Sequence, residues 1–296
     1  MKSIISIILL IFILLFVNQK VFSDIIIVDS IERTYLVHLP KSYDKNAFLP
    51  LVIVLHGCGG KAENTDKLTG FDRVSDKYSF IVVYPNGIDN DGREKVKKYV
   101  DGKEVNDVKF ISCLIDSLRI KYSIDSNRVF VTGISNGGIM SFRLACELSD
   151  KIAGIAPVAA SMSEIVYNYC KPSRPVPVMI IFGDSDPLVP FEGGDIIVFG
   201  KRGKVVSVDQ SVKFWIKNNG CTDKPIETII VDSTDDDTRA IRYTYKGNSD
   251  VVYWLIQGGG HIWPGGWHYL PSFIIGKTSE EIDASEEIWK FFNSIK

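Results

Sequence analysis

The chain has 296 residues, of which 45% are hydrophobic and 24% are charged, and it carries a formal net charge of −2. This balance excludes collagen-like, coiled-coil and wholly disordered chains, and a chain of this length can bury enough surface to fold without a metal or a disulfide. The net charge is close to zero, and the Lys and Arg residues form no dense stripe along the chain, so we expect no nucleic-acid partner.

The first 23 residues differ in composition from the rest. Ile4–Val17 is apolar except for Ser6, a run too short to span a bilayer comfortably, and Val21 and Ser23 place medium and small residues at positions −3 and −1 before Asp24. This pattern is typical of a secretory signal peptide. We therefore expect cleavage of residues 1–23, secretion of the mature chain to the periplasm or the extracellular space, and no stable membrane association afterwards. An uncleaved membrane anchor is the alternative interpretation.

The mature chain, residues 24–296, alternates short β-rich runs with amphipathic helical patterns. The predicted strands are Ile25–Val28, Thr34–Leu39, Leu51–Leu55, Phe80–Tyr84, Val129–Thr132, Gly154–Val158, Val178–Phe182, Arg239–Tyr245 and Val251–Ile256. The predicted helices are Asp107–Tyr122, Asn136–Leu148, Val208–Lys217 and Glu281–Ser294. Because continuous apolar runs are typical of buried parallel strands, we expect one α/β domain with a mostly parallel central sheet and helices on both faces. Such sheets bind ligands at the carboxyl ends of their strands.

The strongest motif is a G-x-S-x-G sequence around Ser135, directly after a predicted strand and directly before a predicted helix. This context is the one that a nucleophile elbow requires, because a tight turn there raises the serine hydroxyl above the sheet. The turn leaves no room for side chains at Gly133 and Gly137. Ser135 is therefore the predicted nucleophile, and a small-residue loop without catalytic function is the alternative.

A nucleophilic serine needs a histidine as general base, and the elbow requires the order serine, acid, histidine along the chain. Of the four histidines, only His261 and His268 follow Ser135. His261 comes directly after the last strand and a run of three glycines, which allow the backbone to approach the elbow closely. We therefore predict His261 as the base, with His268 as a residue of the pocket rim or the surface. His38 lies within a predicted strand and is interpreted as structural.

The acid is expected in the loop after the strand Val178–Phe182, which contains Asp184 and Asp186. A G-x-x-D pattern followed by x-x-V-P is frequent in acid loops of this kind and selects Asp186. Asp184 is then interpreted as a turn residue that binds its own backbone.

Hydrolysis through a tetrahedral intermediate also needs two N–H donors directed at the oxyanion. The residue after the nucleophile, Asn136, supplies one backbone amide. The loop His56–Gly60 follows an early buried strand and is predicted to supply the other through the amide of Cys58. A plain glycine turn is the alternative for this loop.

The segment after His261 is rich in aromatic residues. Trp263, Trp267 and Tyr269 offer large flat surfaces that can stack on an aryl or a sugar ring, so they are predicted to bind substrate. Core packing is an equally supported interpretation for Trp263 alone.

The five cysteines form no C-x-x-C pair and no zinc-finger spacing with a histidine, so we expect no metal site. An oxidising compartment permits disulfides, and the odd number leaves at least one thiol unpaired. The helix after Ser135 leads away from the elbow, which places Cys146 near the amino ends of the strands, where the strand after Cys170 begins. We predict a disulfide between these two cysteines.

These motifs together resemble secreted esterases of the polyhydroxybutyrate depolymerase and feruloyl esterase group, in carbohydrate esterase family one. The resemblance spans almost the whole mature chain and rests on His56–Gly60, Tyr84–Gly87, Asn106–Val108, Phe110–Ile111, Gly133–Gly138, Leu144–Asp150, Ile152–Ala159, Asp186–Pro190 and Gly258–Gly266. It implies an α/β-hydrolase fold with Ser135, Asp186 and His261 as the catalytic triad.

The predicted function is therefore that of a secreted serine carboxylesterase that needs no cofactor. Its expected substrates are esters of hydroxyalkanoate oligomers or polymers, or feruloyl and acetyl groups on fragments of plant polysaccharide. A secreted serine peptidase would use the same machinery. A non-catalytic binding protein of the same fold is an alternative of a different class, although such proteins usually lose a member of the triad.

Overall fold

A sheet of ten strands forms the centre of the structure, a computed structural model that describes residues 23–88, 98–100, 103–197 and 201–296. The strands of the described residues, including four that lie outside this sheet, are β1 (Asp24–Val28), β2 (Ile31–His38), β3 (Leu49–Leu55), β4 (Ile81–Pro85), β5 (Lys98–Val100), β6 (Lys103–Val105), β7 (Ile124–Ile134), β8 (Gly154–Val158), β9 (Val178–Gly183), β10 (Gly194–Ile197), β11 (Lys201–Val205), β12 (Glu227–Val231), β13 (Arg239–Tyr245) and β14 (Val251–Gln257). The helices of the described residues are α1 (Ala62–Thr69), α2 (Phe71–Tyr78), α3 (Asp107–Lys121), α4 (Asn136–Glu147), α5 (Glu164–Tyr169), α6 (Val208–Asn218), α7 (Ser272–Ile275) and α8 (Ala284–Ser294).

The strand order in the large sheet is β1-β2-β4-β3-β7-β8-β9-β14-β13-β12. Neighbours from β4 to β14 pair in parallel, and the strands at both edges pair antiparallel. Strands β10 with β11 and β5 with β6 form separate hairpins. The predicted mostly parallel sheet is confirmed. Because β3, β7, β9 and β14 are mutually parallel, the loops that follow them leave the sheet at one edge.

Two apolar layers cover the two faces of the sheet. Alternate side chains of β3 divide between them, with Leu51 and Ile53 in one layer and Val52 and Val54 in the other. The first layer is completed by α3, α4 and α6, and the second by α2 and α8. Helices on both faces were predicted, and they leave the carboxyl edge of the sheet to the loops.

The last helix begins later than predicted, at Ala284 instead of Glu281. The Asp283 side chain accepts a hydrogen bond from the amide of Glu286 and so caps the helix. The Glu281 carboxylate instead accepts hydrogen bonds from the backbone amides of Ser233 and Thr234 at 2.7 and 2.9 Å. A contact distant in the chain therefore determines where this helix starts.

The predicted disulfide between Cys146 and Cys170 is confirmed, with a Cα–Cα distance of 5.2 Å. It joins the end of α4 to the residue after α5, far along the helix from Ser135.

The predicted signal peptide lies outside the described residues, except for Ser23. Within the part of the chain that the structure describes, no helix has both the length and the apolar composition needed to cross a membrane.

Candidate active site

Ser135 lies between the end of β7 and the first residue of α4. Its φ of 58° and ψ of −120° place a non-glycine residue in a strained backbone region. A Cβ at Gly133 would lie 2.7 Å from the Leu55 carbonyl oxygen, and one at Gly137 would lie 2.4 Å from the same oxygen. Both positions therefore require glycine, as expected for a sharp turn that presents the serine at the edge of the sheet.

The loop after β3 packs directly against this turn. A Cβ at Gly57 would lie 3.4 Å from the Cβ of Ser135. The Gly57 carbonyl accepts a hydrogen bond from the amide of Gly60 at 3.0 Å, so residues 57–60 form a tight turn with Gly59 at a φ of 72°. The structure thus brings Cys58, the next residue after Gly57, close to the predicted nucleophile.

Asn136 is the first residue of α4, so its backbone amide is one of the four N–H groups that a helix start leaves without an intrahelical partner. The partial positive charge at this helix N-terminus lies beside Ser135 and favours a developing negative charge there.

Asp186 follows β9 and its carboxylate is fully buried. One oxygen accepts hydrogen bonds from the amides of Leu188 and Val189 at 2.8 and 2.9 Å. The other contacts Nδ1 of His261 at 2.7 Å. Because the ionised carboxylate can only accept, Nδ1 of His261 carries the proton and donates it. The acid loop therefore holds the imidazole in a single orientation and tautomer.

The sequence predicted that Asp184 binds its own turn, but its carboxylate also binds a second loop. Its carboxylate accepts a hydrogen bond from the amide of Gly258 at 2.8 Å, in the loop that carries the predicted base. Gly183 also packs against that loop, since a Cβ there would lie 2.2 Å from the Gly259 carbonyl oxygen. Asp184 therefore fastens the acid loop to the histidine loop.

His261 is buried, and its backbone is held by the segment that follows it in the chain. Its amide donates to the Ile275 carbonyl at 2.5 Å, and its carbonyl accepts a hydrogen bond from the Tyr269 hydroxyl at 2.9 Å. Burial, together with the charge of Asp186, raises the pKa of Tyr269 well above its ordinary value, so this hydroxyl stays protonated. The chain thus uses Tyr269 to hold His261, a contact that sequence patterns alone do not reveal.

The prediction that Trp263 binds substrate is wrong. Its side chain is 2% exposed, packs edge-on against Phe71 with ring centroids 6.0 Å apart, and donates from Nε1 to the Ser285 hydroxyl at 3.1 Å. The ring is part of the apolar layer beneath the loop, and α2, which supplies Phe71, was not predicted.

Trp267 is placed differently. Its amide donates to the Leu68 carbonyl at 3.1 Å, which fixes its backbone, while its side chain is 61% exposed. Three further apolar side chains between residues 270 and 274 are also exposed, namely Leu270, Phe273 and Ile274. Together with Trp267 they form an exposed apolar group. The segment that carries this group is anchored to the backbone of His261 by the Tyr269 hydroxyl and the Ile275 carbonyl.

Each of the other predicted site residues lies at the carboxyl edge of the sheet or on a loop that leaves it. The structure joins Asp186 to His261 through a hydrogen bond and brings the Cys58 loop against Ser135. His268 is exposed, and its Nδ1 contacts the Thr278 hydroxyl rather than an acid. His38 lies between Asp72 and Asp76, at 3.3 and 3.0 Å, which agrees with its structural interpretation.

Comparison with known proteins gives a family match. A family model described as Esterase PHB depolymerase matches residues 33–222, a segment that contains Ser135 and Asp186 and ends before His261. NocK of Nocardia uniformis subsp. tsuyamanensis, whose name describes it as an esterase, is 30% identical over 250 residues, which cover 80% of this chain and 72% of NocK.

Feruloyl esterase B of Piromyces equi is 27% identical over 249 residues, which cover 82% of this chain and 46% of that protein. This chain therefore spans less than half the length of that relative. Among solved structures, the acetyl xylan esterase from Aspergillus awamori superposes with a TM-score of 0.60 at 15% identity, covering 88% of this chain and 94% of that one. At this identity the likeness concerns the fold alone, and it confirms the predicted α/β-hydrolase fold.

Proposed function

Because the chain belongs to the esterase family of polyhydroxybutyrate depolymerases, we propose that it is a serine carboxylesterase that works through an acyl-enzyme on Ser135. The observation that carries this proposal is the buried hydrogen bond of 2.7 Å between Asp186 and Nδ1 of His261. It leaves Nε2 of His261 as the basic nitrogen, which is the state that a general base requires.

The proposed reaction has two halves. Oγ of Ser135 attacks the ester carbonyl carbon while Nε2 of His261 accepts the serine proton. The C–O bond to the alcohol then breaks, and His261 returns the proton to the leaving alcohol. Water, activated in turn by His261, attacks the acyl-enzyme and releases the carboxylic acid and the free serine. Asp186 keeps the imidazole oriented and stabilises its positive charge in both halves.

The oxyanion of each tetrahedral intermediate is proposed to lie between the backbone amides of Cys58 and Asn136. The packing of Gly57 against Ser135 supports this assignment, because Cys58 is the next residue along the loop. The amide of Asn136 lies at the N-terminus of α4, where the helix itself favours negative charge. Two such donors account for a large part of the rate enhancement in acyl transfer.

Asp186→Asn is expected to lower kcat by about 10⁴-fold, since an amide in place of the carboxylate lets the imidazole adopt the wrong tautomer. Asp184→Asn is the matched control, because Asp184 is two residues away and its carboxylate accepts from the Gly258 amide and the Ser185 hydroxyl rather than from a histidine. An amide oxygen there can still accept from Gly258, so the control is expected to keep its activity. Steady-state kinetics on one ester substrate measures both; equal losses for the two variants would contradict the role of Asp186.

We further propose that the substrate is an ester with an aryl or short hydroxyacyl group, and that Trp267 and Tyr269 contact it. The 61% exposure of Trp267 supports this, since the indole is free to stack on a ring or an extended chain. Tyr269 is half-buried beside His261, so the edge of its ring can contact substrate while its hydroxyl holds the loop. Hydroxyalkanoate oligomers and feruloyl or acetyl esters of polysaccharide fragments both fit this description.

The substrate class is tested by kcat/KM on methyl ferulate, a hydroxybutyrate oligomer, tributyrin and a peptide anilide. The first two are expected to be the best substrates, and the anilide is expected to react poorly. Trp267→Ala should lower kcat/KM on them about fivefold, mainly through KM, because one exposed aromatic contact contributes about 1 kcal/mol. Phe48→Ala is the control, since Phe48 is 75% exposed but precedes β3 at the opposite edge of the sheet. A preference for tributyrin, or equal effects of the two variants, would contradict this pocket.

We also propose that the mature chain is secreted. The N-terminal pattern supports export with cleavage before Asp24, and the disulfide between Cys146 and Cys170 is of the kind that persists in an oxidising compartment.

A further inference from the structure

Strand β12 forms one edge of the large sheet, and β13 is the only strand of the described residues that pairs with it. Four of its five residues are exposed, so both faces of the strand are open. Ile226 and Ile230 are 58 and 60% exposed, and Ile229 is exposed as well. We propose that two copies of this chain pair through β12, antiparallel and related by a two-fold axis, so that their two sheets become one.

The sequence of β12 has none of the features that keep an edge strand from pairing. Natural edges are protected by lysine, proline or a bulge. The strand reads Glu-Thr-Ile-Ile-Val, with four β-branched residues that favour a strand and with neither lysine nor proline. It pairs with β13 from Glu227 to Val231 without a shift in register, and the amide of Ile226 extends the alignment by donating to the Thr244 carbonyl at 2.8 Å. The outer side of this regular strand is therefore suited to a further strand.

The charges at the two ends of β12 are compensated within the chain. Glu227 lies 3.9 Å from Nη1 of Arg242. Asp232, the residue after the strand, accepts hydrogen bonds from Nε and Nη2 of Arg239 at 2.9 and 2.6 Å. Both arginines belong to β13. Two copies of this edge can therefore approach each other without strong repulsion between their carboxylates.

The opposite edge of the sheet, β1, is built differently. On one face, its apolar side chains pack into the layer that α3 completes. Lys121 pairs with Asp24 at the start of β1, and Lys109 pairs with Asp29 just after its end. Lysine beside an edge strand opposes its pairing with another chain. Of the two edges, β12 is therefore the one that fits a second copy.

An antiparallel pair of identical strands places one position opposite its own copy. With Thr228 at the two-fold axis, Ile226 of each copy faces Ile230 of the other, so the two most exposed apolar side chains of the edge cover each other. The two Thr228 side chains also face each other, and cross-strand threonine pairs are favourable. Glu227 then faces Ile229 of the second copy, which avoids a pair of like charges. The edge is self-complementary in this register.

This pairing leaves both candidate active sites open. Strand β12 runs parallel to β14, because it is antiparallel to β13 and β13 is antiparallel to β14. The two-fold axis reverses the second copy, so the carboxyl edges of the two sheets lie at opposite ends of the joined sheet. Four strands also separate β12 from β7, which leads to Ser135. The proposed interface and the proposed function can therefore be tested separately.

The molar mass of the mature chain in solution, measured by sedimentation, tests the interface. The wild type is expected to be a dimer at about 100 µM and a monomer at about 1 µM, since a small interface gives a dissociation constant on the order of 10 µM. Ile230→Lys is expected to be a monomer at both concentrations, because it places a charge on the edge. Ile25→Lys is the matched control: Ile25 is 56% exposed on β1, and this variant is expected to dimerise like the wild type.

Cross-linking tests the register and does not depend on the lysine variants. In Thr228→Cys, the Cβ atoms of the two substituted residues would lie about 4.5 Å apart across the axis, which is within reach of a disulfide. Mild oxidation is expected to give a covalent dimer, with both linked peptides containing position 228 by mass spectrometry. Thr222→Cys is the control, because Thr222 is exposed but lies six residues from the axis and so faces no copy of itself.

A wild type that is monomeric at both concentrations would overturn the interface, and so would a dimer that Ile25→Lys dissociates while Ile230→Lys does not. Cross-linking of Thr228→Cys that is no faster than that of Thr222→Cys would overturn the register and with it the proposal. Ester hydrolysis is measured on the same wild-type sample. Its absence would overturn the proposed function and leave the interface standing.

Discussion

Replacing Ser135 with alanine is expected to lower ester hydrolysis by on the order of a millionfold, to the level that binding and the oxyanion donors alone sustain. The substitution removes one hydroxyl from a half-buried residue and leaves the backbone turn in place. Alanine tolerates the φ of 58° about as well as serine does, so the thermal unfolding temperature is expected to change little. Loss of activity without loss of stability is the result that identifies a nucleophile.

Ser126→Ala is the matched control for this experiment. Ser126 is an exposed serine near the start of β7, the strand at whose other end Ser135 lies. Its replacement is expected to leave kcat unchanged. Substantial hydrolysis by Ser135→Ala, above the rate of a heat-treated sample, would contradict the assignment of the nucleophile.

His261→Ala is expected to be nearly as severe as Ser135→Ala, because the nucleophile and its base act as one unit. The variant also removes the only hydrogen-bond partner that the structure shows for Oδ2 of Asp186 among the described residues, which leaves a buried carboxylate partly unsatisfied. A loss of stability is therefore expected together with the loss of activity. Thermal unfolding measured beside kcat separates the two effects, since a variant that is folded at the assay temperature and still inactive has lost its base and not its structure.

His268→Ala is the comparison that tests which histidine is the base. The two residues are seven positions apart, and His268 is exposed and contacts Thr278 rather than an acid. The His268 variant is expected to retain most of the wild-type kcat. A larger loss for His268→Ala than for His261→Ala would overturn the assignment.

The sheet and the order of the site residues could be predicted because both depend on local patterns. Continuous apolar runs identified the strands, and the runs Gly154–Val158 and Arg239–Tyr245 match the observed strands residue for residue. The elbow around Ser135 is also a local pattern, since the glycines that it requires are two residues away on either side. The pairing of Asp186 with His261 followed from chain order, and the structure confirms that the two are in contact.

What could not be predicted depends on partners distant in the chain. Trp263 and Trp267 are four residues apart in one aromatic segment, but only Trp263 meets Phe71 and Ser285, and these contacts decide that it is buried. The helices α1 and α2 are only eight residues long and mostly polar, so they were not predicted, although Phe71, Val74 and Tyr78 recur at helical spacing in α2. The same reason explains the misinterpretation of Asp184, whose partner Gly258 is 74 residues away.

The oxyanion loop shows this limit most clearly. The glycines after His56 indicated a turn near the nucleophile, but the hydrogen bond from the Gly87 amide to Nε2 of His56 depends on where β4 ends and was not predicted. Likewise, Tyr269 was expected to serve the substrate alone, whereas its hydroxyl holds the backbone of His261. A residue that positions a site is identified by the groups that it contacts, and local sequence patterns do not show contacts between residues distant in the chain.

The central claim, that Ser135 is an activated nucleophile, is tested most directly by treating the active mature chain with a fluorophosphonate and locating the label by mass spectrometry of peptides. Activated serines of this kind react covalently because an adjacent base removes their proton. The account predicts complete loss of esterase activity, one label per chain, and its location on Ser135. An enzyme that hydrolyses esters but takes up no label, or that carries its label on another residue, would contradict it.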